Sequence, residues 1–479
     1  MKSLHSFNTS HLYWIIAVVA TIPRLLFVFF AEGGGDGGGY LKVAENILTG
    51  CGVSMSIPQS GECIPHFGGN HGPGYPLFIA AVWWVSGHSD LAVRLSQAMV
   101  YVTSLVYLVA AIRHYTSSSK LALLAGLILA ISPLQTAWPR YFLAETLALA
   151  GTLWLFAELL KSLHETRLRV VPIALALIAT TFVRLDGVLL AVPVAATGFI
   201  IYRPFDAIRR GLVIALIVTV PWGGWILRNI HVGMENVLPV PFDLQPSISG
   251  YIKWEKTWVT NEYQVAGALW PIHGYNYDLL RIDDHAYSAG KERVHALLEE
   301  LKEYTGKPFP KHIDEQFAIL AGEAAEKEPF KIYLLNPSRR LWALWANVYS
   351  SFAWPIGLDG KISAQERLDI VNGGLWSKLI LLKKYPVEML GKIFVNGWRI
   401  VLYFLFIFSM WVVCKDKKSH YRDMMVLAVS FVMARSIFSV TLHYIETRYT
   451  VMVMPVLELL VVLVVVKFLI ERKSIEPSV

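Results

Sequence analysis

Ten apolar runs, set apart by short charged stretches, constrain this chain more than any other feature. An α-helix needs about 17 to 25 apolar residues to cross the roughly 30 Å of hydrocarbon in a bilayer, and most of the runs have that length. They cover Leu12 to Phe30, Leu91 to Ile112, Leu121 to Trp138, Tyr141 to Leu160, Val170 to Val183, Gly187 to Tyr202, Gly211 to Leu227, Ile393 to Val413, Met424 to Leu442 and Thr450 to Leu469. The run from Val170 to Val183 is short, and it spans only by extending toward Arg167 or by tilting less. A backbone in hydrocarbon has no water to bond, so such runs are helices. Composition agrees: 55% of residues are hydrophobic, 16% are charged and the mean hydropathy is +0.47, which excludes a water-soluble domain. The first run contains Pro23 and Arg24 and lacks a small-x-small cleavage pattern, so it is expected to be retained. The expected fold is therefore all-α and integral to the membrane, a multi-pass bundle of about ten transmembrane helices.

The net charge of +7 does not point to nucleic acid, because the basic residues form small clusters between apolar runs rather than one face. Arg113 and Lys120, then Lys161, Arg167 and Arg169, then Arg203, Arg209 and Arg210, then Lys415, Lys417, Lys418 and Arg422 occupy alternate gaps. Short cytoplasmic loops are enriched in such residues, so these gaps and both termini are expected on the cytoplasmic side. The other side receives a first loop at 31–90, corners at Pro139-Arg140 and Arg184 to Asp186, and a long segment after Arg228. This divides the chain into a transmembrane module at 1–229, an outer segment at 230–392 and C-terminal helices at 393–479. The Pro76 to Val85 run is too short to cross and reads as an interfacial helix. In the outer segment, ERVHALLEELKEY has helical periodicity, and Ile332 to Pro355 is aromatic and amphipathic, as for helices on a membrane surface.

Charged groups at membrane depth are costly and usually mark a function. Arg24, Asp36, Arg140, Glu145, Arg184, Asp186, Arg228, Asn229, Glu446 and Arg448 all fall on the outer side of this topology. Asp36 stands alone in GGGDGGGY at 33–40, where glycines allow close approach of backbone and substrate. Arg435 and Glu458 lie at similar depth in the last two spans and are expected to pair. Cys51 and Cys63 are expected to form a disulfide on an oxidising outer face. Together with His66 and His71 they match no structural zinc spacing, so no metal ligands are assigned. Trp254, Trp258, Trp270, Tyr275 and Tyr277 read as an interfacial aromatic belt, with stacking on sugar as the alternative.

Six segments in order carry a family resemblance: Arg24 through Asp36 to Tyr40, HGPGYPLFIA at 71–80, SPLQTAWPRYFLAETLAL at 132–149, FVRLDGVLL at 182–190, PWGGWILRN at 221–229, and ETRYTVMVMP at 446–455. Their order resembles the polyprenol-phosphate-dependent GT-C glycosyltransferases related to protein mannosyltransferases and aminoarabinose transferases. The resemblance is best from Arg24 to Asn229 and returns at Glu446. Many members carry Asp-Glu at the first acidic position, whereas Gly37 follows Asp36 here, which leaves Glu145 as the second carboxylate. The resemblance implies a GT-C multi-span bundle and an inverting transfer of sugar from a polyprenyl-phosphate donor to a lipid, glycan or protein acceptor. It implies a bacterial inner membrane, with the site on the periplasmic face in contact with membrane lipids. Asp36 and Glu145 would be catalytic. Arg448 is the first choice for the donor phosphate, followed by Arg140, Arg184 and Arg228, with Tyr40, His71, Glu446 and Tyr449 around the substrate. A role for a divalent cation is left open. The reading from another class is a multi-span transporter of a lipid or polar solute, which would place charges near the midplane in two similar halves.

Overall fold

The computed structural model describes residues 9–30, 37–54, 72–233, 246–283, 286, 290–347, 375–416, 421–442 and 445–475. All regular structure among them is helical, and each of the ten apolar runs emerges as helix. The first ten helices are α1 (Thr9–Phe30), α2 (Gly38–Leu48), α3 (Gly74–Ser86), α4 (Asp90–Thr116), α5 (Ser119–Ile131), α6 (Pro133–Thr136), α7 (Glu145–His164), α8 (Val170–Val183), α9 (Ala191–Ile201) and α10 (Pro204–His231). Six helices are long and apolar enough to cross a membrane, and a seventh crossing arises if α5 and the segment Pro133–Arg140, bent by 56°, form one span. The shorter apolar helices include α3, α8, Leu185–Ile201 and Met454–Val466.

The chain falls into two compact units, one of Met1–Leu238, Ser351–Met433 and Val451–Val479, the other of Pro239–Ser350 and Ala434–Thr450. In the first unit α7 is buried almost all round, as the centre of a bundle must be, and it packs on α4 and α8. On α10, by contrast, Ile208, Leu212, Leu216 and Val220 form an exposed stripe at four-residue spacing, the pattern of a helix facing lipid. The α4–α5 corner follows from local chemistry. Ser117 takes a left-handed conformation, and the Ser118 hydroxyl accepts the Leu121 amide at 3.3 Å to cap α5.

Glycines set the closest approaches. A Cβ on Gly72 would lie 2.0 Å from the Phe182 carbonyl oxygen, and one on Gly74 would lie 2.8 Å from the same carbonyl. A Cβ on Gly151 of α7 would lie 2.1 Å from Thr180 Oγ1, while Gly187 presses on the other side of Thr180. Thus α3, α7 and the end of α8 meet where no side chain fits.

A buried polar hub crosses the same unit at the bend after Ile131. Glu458 accepts hydrogen bonds from Ser132 Oγ, Gln135 Nε2 and Trp398 Nε1. Tyr101 donates to the Gln135 amide oxygen, and Arg24 donates to the Ala130 carbonyl at 2.9 Å while lying 3.8 Å over the Tyr101 ring. Helix breaks at membrane depth persist only where the freed groups find partners inside the protein. Within this unit the cation acting on Glu458 is Arg24, a partner that the expected pairing with Arg435 did not include, and α5 contacts both α1 and the last helix.

The second unit packs short helices around an aromatic core of Tyr251, Trp254, Trp258, Tyr277, Phe309 and Phe317. Trp254, Trp258 and Tyr277 are thus core residues, neither belt nor sugar platform, while Trp270 and Tyr275 are exposed. Asp314 caps the Ser249–Glu255 helix by accepting the Gly250 and Tyr251 amides at 3.0 and 2.8 Å. Asn336 and Arg340, one turn apart, donate to the carbonyls of Thr257 and Val259 at 2.6 and 2.8 Å. Burial in this core pushes the Tyr251 phenol well above its ordinary value. Phe330, Tyr333 and Trp342 are exposed, in keeping with the amphipathic character read from Ile332 onward.

Two outcomes follow for the first unit. Glu458→Ala leaves three buried donors without an acceptor and should cost on the order of 1–3 kcal/mol for each, whereas Glu458→Gln should keep most of the stability. Thermal unfolding of the purified variants measures this, and an alanine variant as stable as wild type would remove the hub from the argument. Gly74→Ala should lower the unfolding temperature clearly while Gly38→Ala, where a Cβ meets open space, should not.

Candidate functional site

Four of the motif stretches, at 37–40, 72–80, 141–149 and 182–187, meet at one end of α7 and α8. Glu145 occupies the first turn of α7 and Arg184 ends α8. Both are nearly buried, and Arg184 Nη1 donates to Glu145 Oε1 at 2.6 Å. The same guanidinium grips Asp186 with Nε and Nη2 at 3.0 and 3.1 Å. One arginine therefore holds two carboxylates from different elements in fixed relation, using the planar fork that suits it to such bidentate contacts. No other hydrogen bond to Glu145 is present among the described residues.

Around this array lie the turns of the other motifs. Tyr75 donates to Gln97 Oε1 at 3.0 Å, and the Gln97 amide donates to the carbonyls of Tyr141 and Pro139 at 3.2 and 3.3 Å. Tyr40 meets the Tyr75 ring edge-on at 4.9 Å. Tyr40 and Tyr75 also pack with Phe142, Ala144 and Val183 in one apolar cluster beneath the carboxylates. Arg94 lies 4.9 Å over the Phe142 ring, and Arg140 is fully buried 4.1 Å over the Tyr141 ring. A Cβ on Gly37 would come 2.8 Å from Phe142 Cβ, so the start of α2 is pinned three residues from Glu145. Arg228, at the end of α10, donates to the Val53 carbonyl at 2.8 Å and to Asn229 Oδ1 at 3.1 Å, with Trp225 5.0 Å beneath it. It fastens residue 53 to the bundle, close to Cys51, which is disulfide-bonded.

Asp36, His71 and Cys63 lie outside the described residues, as does His66. Among the described residues no three His, Cys, Asp or Glu side chains gather as metal ligands would. Cys414 is a free thiol. In the second unit Arg448 Nε bonds Glu446 Oε2 at 2.6 Å and lies 5.3 Å over the Tyr449 ring. Arg24 belongs to the Glu458 hub rather than to this cluster.

Sequence reasoning passed over Tyr75, Gln97 and Arg94. Tyr75 sits inside the GPGYP stretch of the second motif, and Gln97 interrupts an otherwise apolar face of α4, a polar side chain that hydrocarbon would reject without partners.

Residues 70–225 match the family model described as dolichyl-phosphate-mannose-protein mannosyltransferase. No curated protein matches the chain. The crystal structure of ArnT from Cupriavidus metallidurans bound to undecaprenyl phosphate is similar over 95% of this chain and 77% of that one, at 14% identity and a TM-score of 0.39. The apo state of the same protein is similar over the same shares, at 14% identity and a TM-score of 0.38. The matched stretch runs from the residue before HGPGYP to the tryptophan of PWGGW and contains Glu145, Arg184 and Asp186, so the GT-C resemblance read from the sequence is supported over residues 70–225.

Proposed function

We propose that the chain is an integral membrane glycosyltransferase of the GT-C type, moving a sugar from a polyprenyl phosphate to an acceptor hydroxyl or amine on the outer face of a bacterial inner membrane. The observation that carries this is the carboxylate–arginine–carboxylate array of Glu145, Arg184 and Asp186, assembled from separate motifs inside the family-matched stretch. A nucleotide sugar is absent outside the membrane, so the donor has to be lipid-linked. The acceptor oxygen or nitrogen attacks the anomeric carbon, the bond to the phosphate oxygen breaks with inversion, and polyprenyl phosphate leaves. Asp36 takes the acceptor proton as general base, and Glu145 orients the acceptor through the oxygen that Arg184 does not hold. Arg184 is fixed between two carboxylates, so its role is to position Glu145, and the leaving phosphate falls to Arg448, Arg140 or Arg228. Tyr40 lines the acceptor side. The transporter reading has less support, because the charged cluster lies at helix ends rather than on paired broken helices.

Purified protein incubated with a panel of polyprenyl-phosphate sugars should consume one donor and release polyprenyl phosphate. No consumption from any donor, with solute movement across proteoliposomes instead, would reverse the assignment. Asp36→Asn should lower transfer by about 10² to 10⁴, the usual range for loss of a general base, with donor binding retained. Transfer by this variant at the wild-type rate moves the base to Glu145 or Asp186. Arg184→Ala should reduce the rate and be only partly rescued by lysine, which cannot bridge both carboxylates. Full activity of the alanine variant would end its positioning role. Arg448→Ala should raise the KM for donor with near-normal expression, and an unchanged KM would pass the phosphate to Arg140 or Arg228.

A further inference from the structure

The opposite ends of α7 and α8 carry a second polar feature that the transfer reaction does not use. A cleft of about 520 Å³ opens there, lined by Glu165, Arg167, Arg169 and Arg210, with Val171 and Pro172 as an apolar wall. Twenty residues of α7 separate Glu145 from this cleft, roughly 30 Å at about 1.5 Å per residue, so the two lie at opposite faces of a bilayer.

The charges in the cleft are not equivalent. Arg169 Nε bonds the buried Glu158 at 2.8 Å and its Nη1 bonds Glu165 at 3.0 Å, so it is already neutralised. Arg167 and Arg210 have no carboxylate partner among the described residues. The Arg167 backbone is placed at the cleft by its amide, which donates to the Ser162 carbonyl at 3.0 Å, while its side chain is exposed. Arg210 lies 4.5 Å over the Tyr202 ring, whose hydroxyl accepts the Leu168 amide at 3.0 Å. One guanidinium held by a ring and one exposed guanidinium thus line the cleft, neither with a carboxylate partner among the described residues. Beside it, Val171 of α8 and Ile208 and Leu212 of α10 expose apolar side chains, 57%, 53% and 65% accessible.

We infer that this cleft binds the phosphodiester headgroup of an anionic phospholipid, with Arg167 and Arg210 on the phosphate and the acyl chains along Val171, Ile208 and Leu212. A free phosphate shares the charge chemistry but makes no use of the apolar wall. Clefts of this kind, basic and open to the bilayer edge, draw anionic lipids to the leaflet where they are enriched. The inference does not depend on the transfer reaction or on Asp36.

The test uses full-length protein in detergent, titrated with phosphatidylglycerol, phosphatidylcholine, inorganic phosphate or glycerol phosphate, and read by retained lipid in native mass spectrometry and by thermal midpoint. Phosphatidylglycerol should remain bound and raise the midpoint where phosphatidylcholine does not, and rising ionic strength should weaken it. Arg167→Ala with Arg210→Ala should weaken binding roughly 25-fold, about fivefold for each arginine near an anionic headgroup. Arg210→Ala alone provides the same reading at smaller amplitude should the double variant fold poorly. Equal retention of the two lipids, or unchanged phosphatidylglycerol binding in the variants, overturns the inference. Equal stabilisation by inorganic phosphate or glycerol phosphate also overturns it, and makes the cleft a site for soluble anions.

Discussion

The first unit depends on one requirement, that polar groups at membrane depth be satisfied by the protein itself. The break between Ile131 and Pro133 creates such groups, and Glu458, more than three hundred residues further on, answers them through Ser132 and Gln135. Arg24 takes the Ala130 carbonyl on the other side. The bend held this way turns the chain into the Trp138–Arg140 segment and so sets where α7 begins. Since Glu145 lies in the first turn of α7, its position relative to Arg184 descends from a contact made deep in the bundle.

Much of this was legible in the sequence, for a physical reason. Hydrocarbon imposes a fixed length and excludes unpaired polarity, so apolar runs locate the helices and stray charges locate the polar clusters. The convergence of Glu145, Arg184 and Asp186 was foreshadowed by their common side of the membrane. Partner choice was not legible. Depth counting measures height along the membrane normal and ignores which helices adjoin, so it did not find Arg24 as a partner of Glu458. The helix break at Ser132 admits α5 and Arg24 to the hub, and a count along straight helices contains no such break. Likewise Trp254 and Trp258 read as an aromatic belt because tryptophan is common at interfaces, while the core they form arises from the short helices of the second unit.

The resemblance and the geometry contribute differently. The motifs indicate which segments belong together, and the structure gives each its reason. In GPGYP, Gly72 and Gly74 allow backbone contact with Phe182, and Tyr75 ties α3 through Gln97 to the turn before α7. In PWGGWILRN, Arg228 reaches back to the Val53 carbonyl. In RLDG, Gly187 closes on Thr180. The residues that repeat the motifs are largely those that join one helix to another, with the acids of the array placed by them.

The glycine contacts also bear on how the molecule can move. Interfaces lined by long side chains can slide, because rotamers change as the helices shift. Where the Phe182 carbonyl meets Gly72 and Gly74, and Thr180 sits between Gly151 and Gly187, few rotatable groups are left to absorb a displacement. Helix α3, α7 at Gly151 and the end of α8 are therefore locked by close contacts that a shift of one against another would have to break. Any widening beside Glu145 has to come from the surrounding elements, and α10, the least buried of the candidate spans, has its freedom in its first half, since Trp222 on Thr181 and Arg228 on the Val53 carbonyl tie down its end.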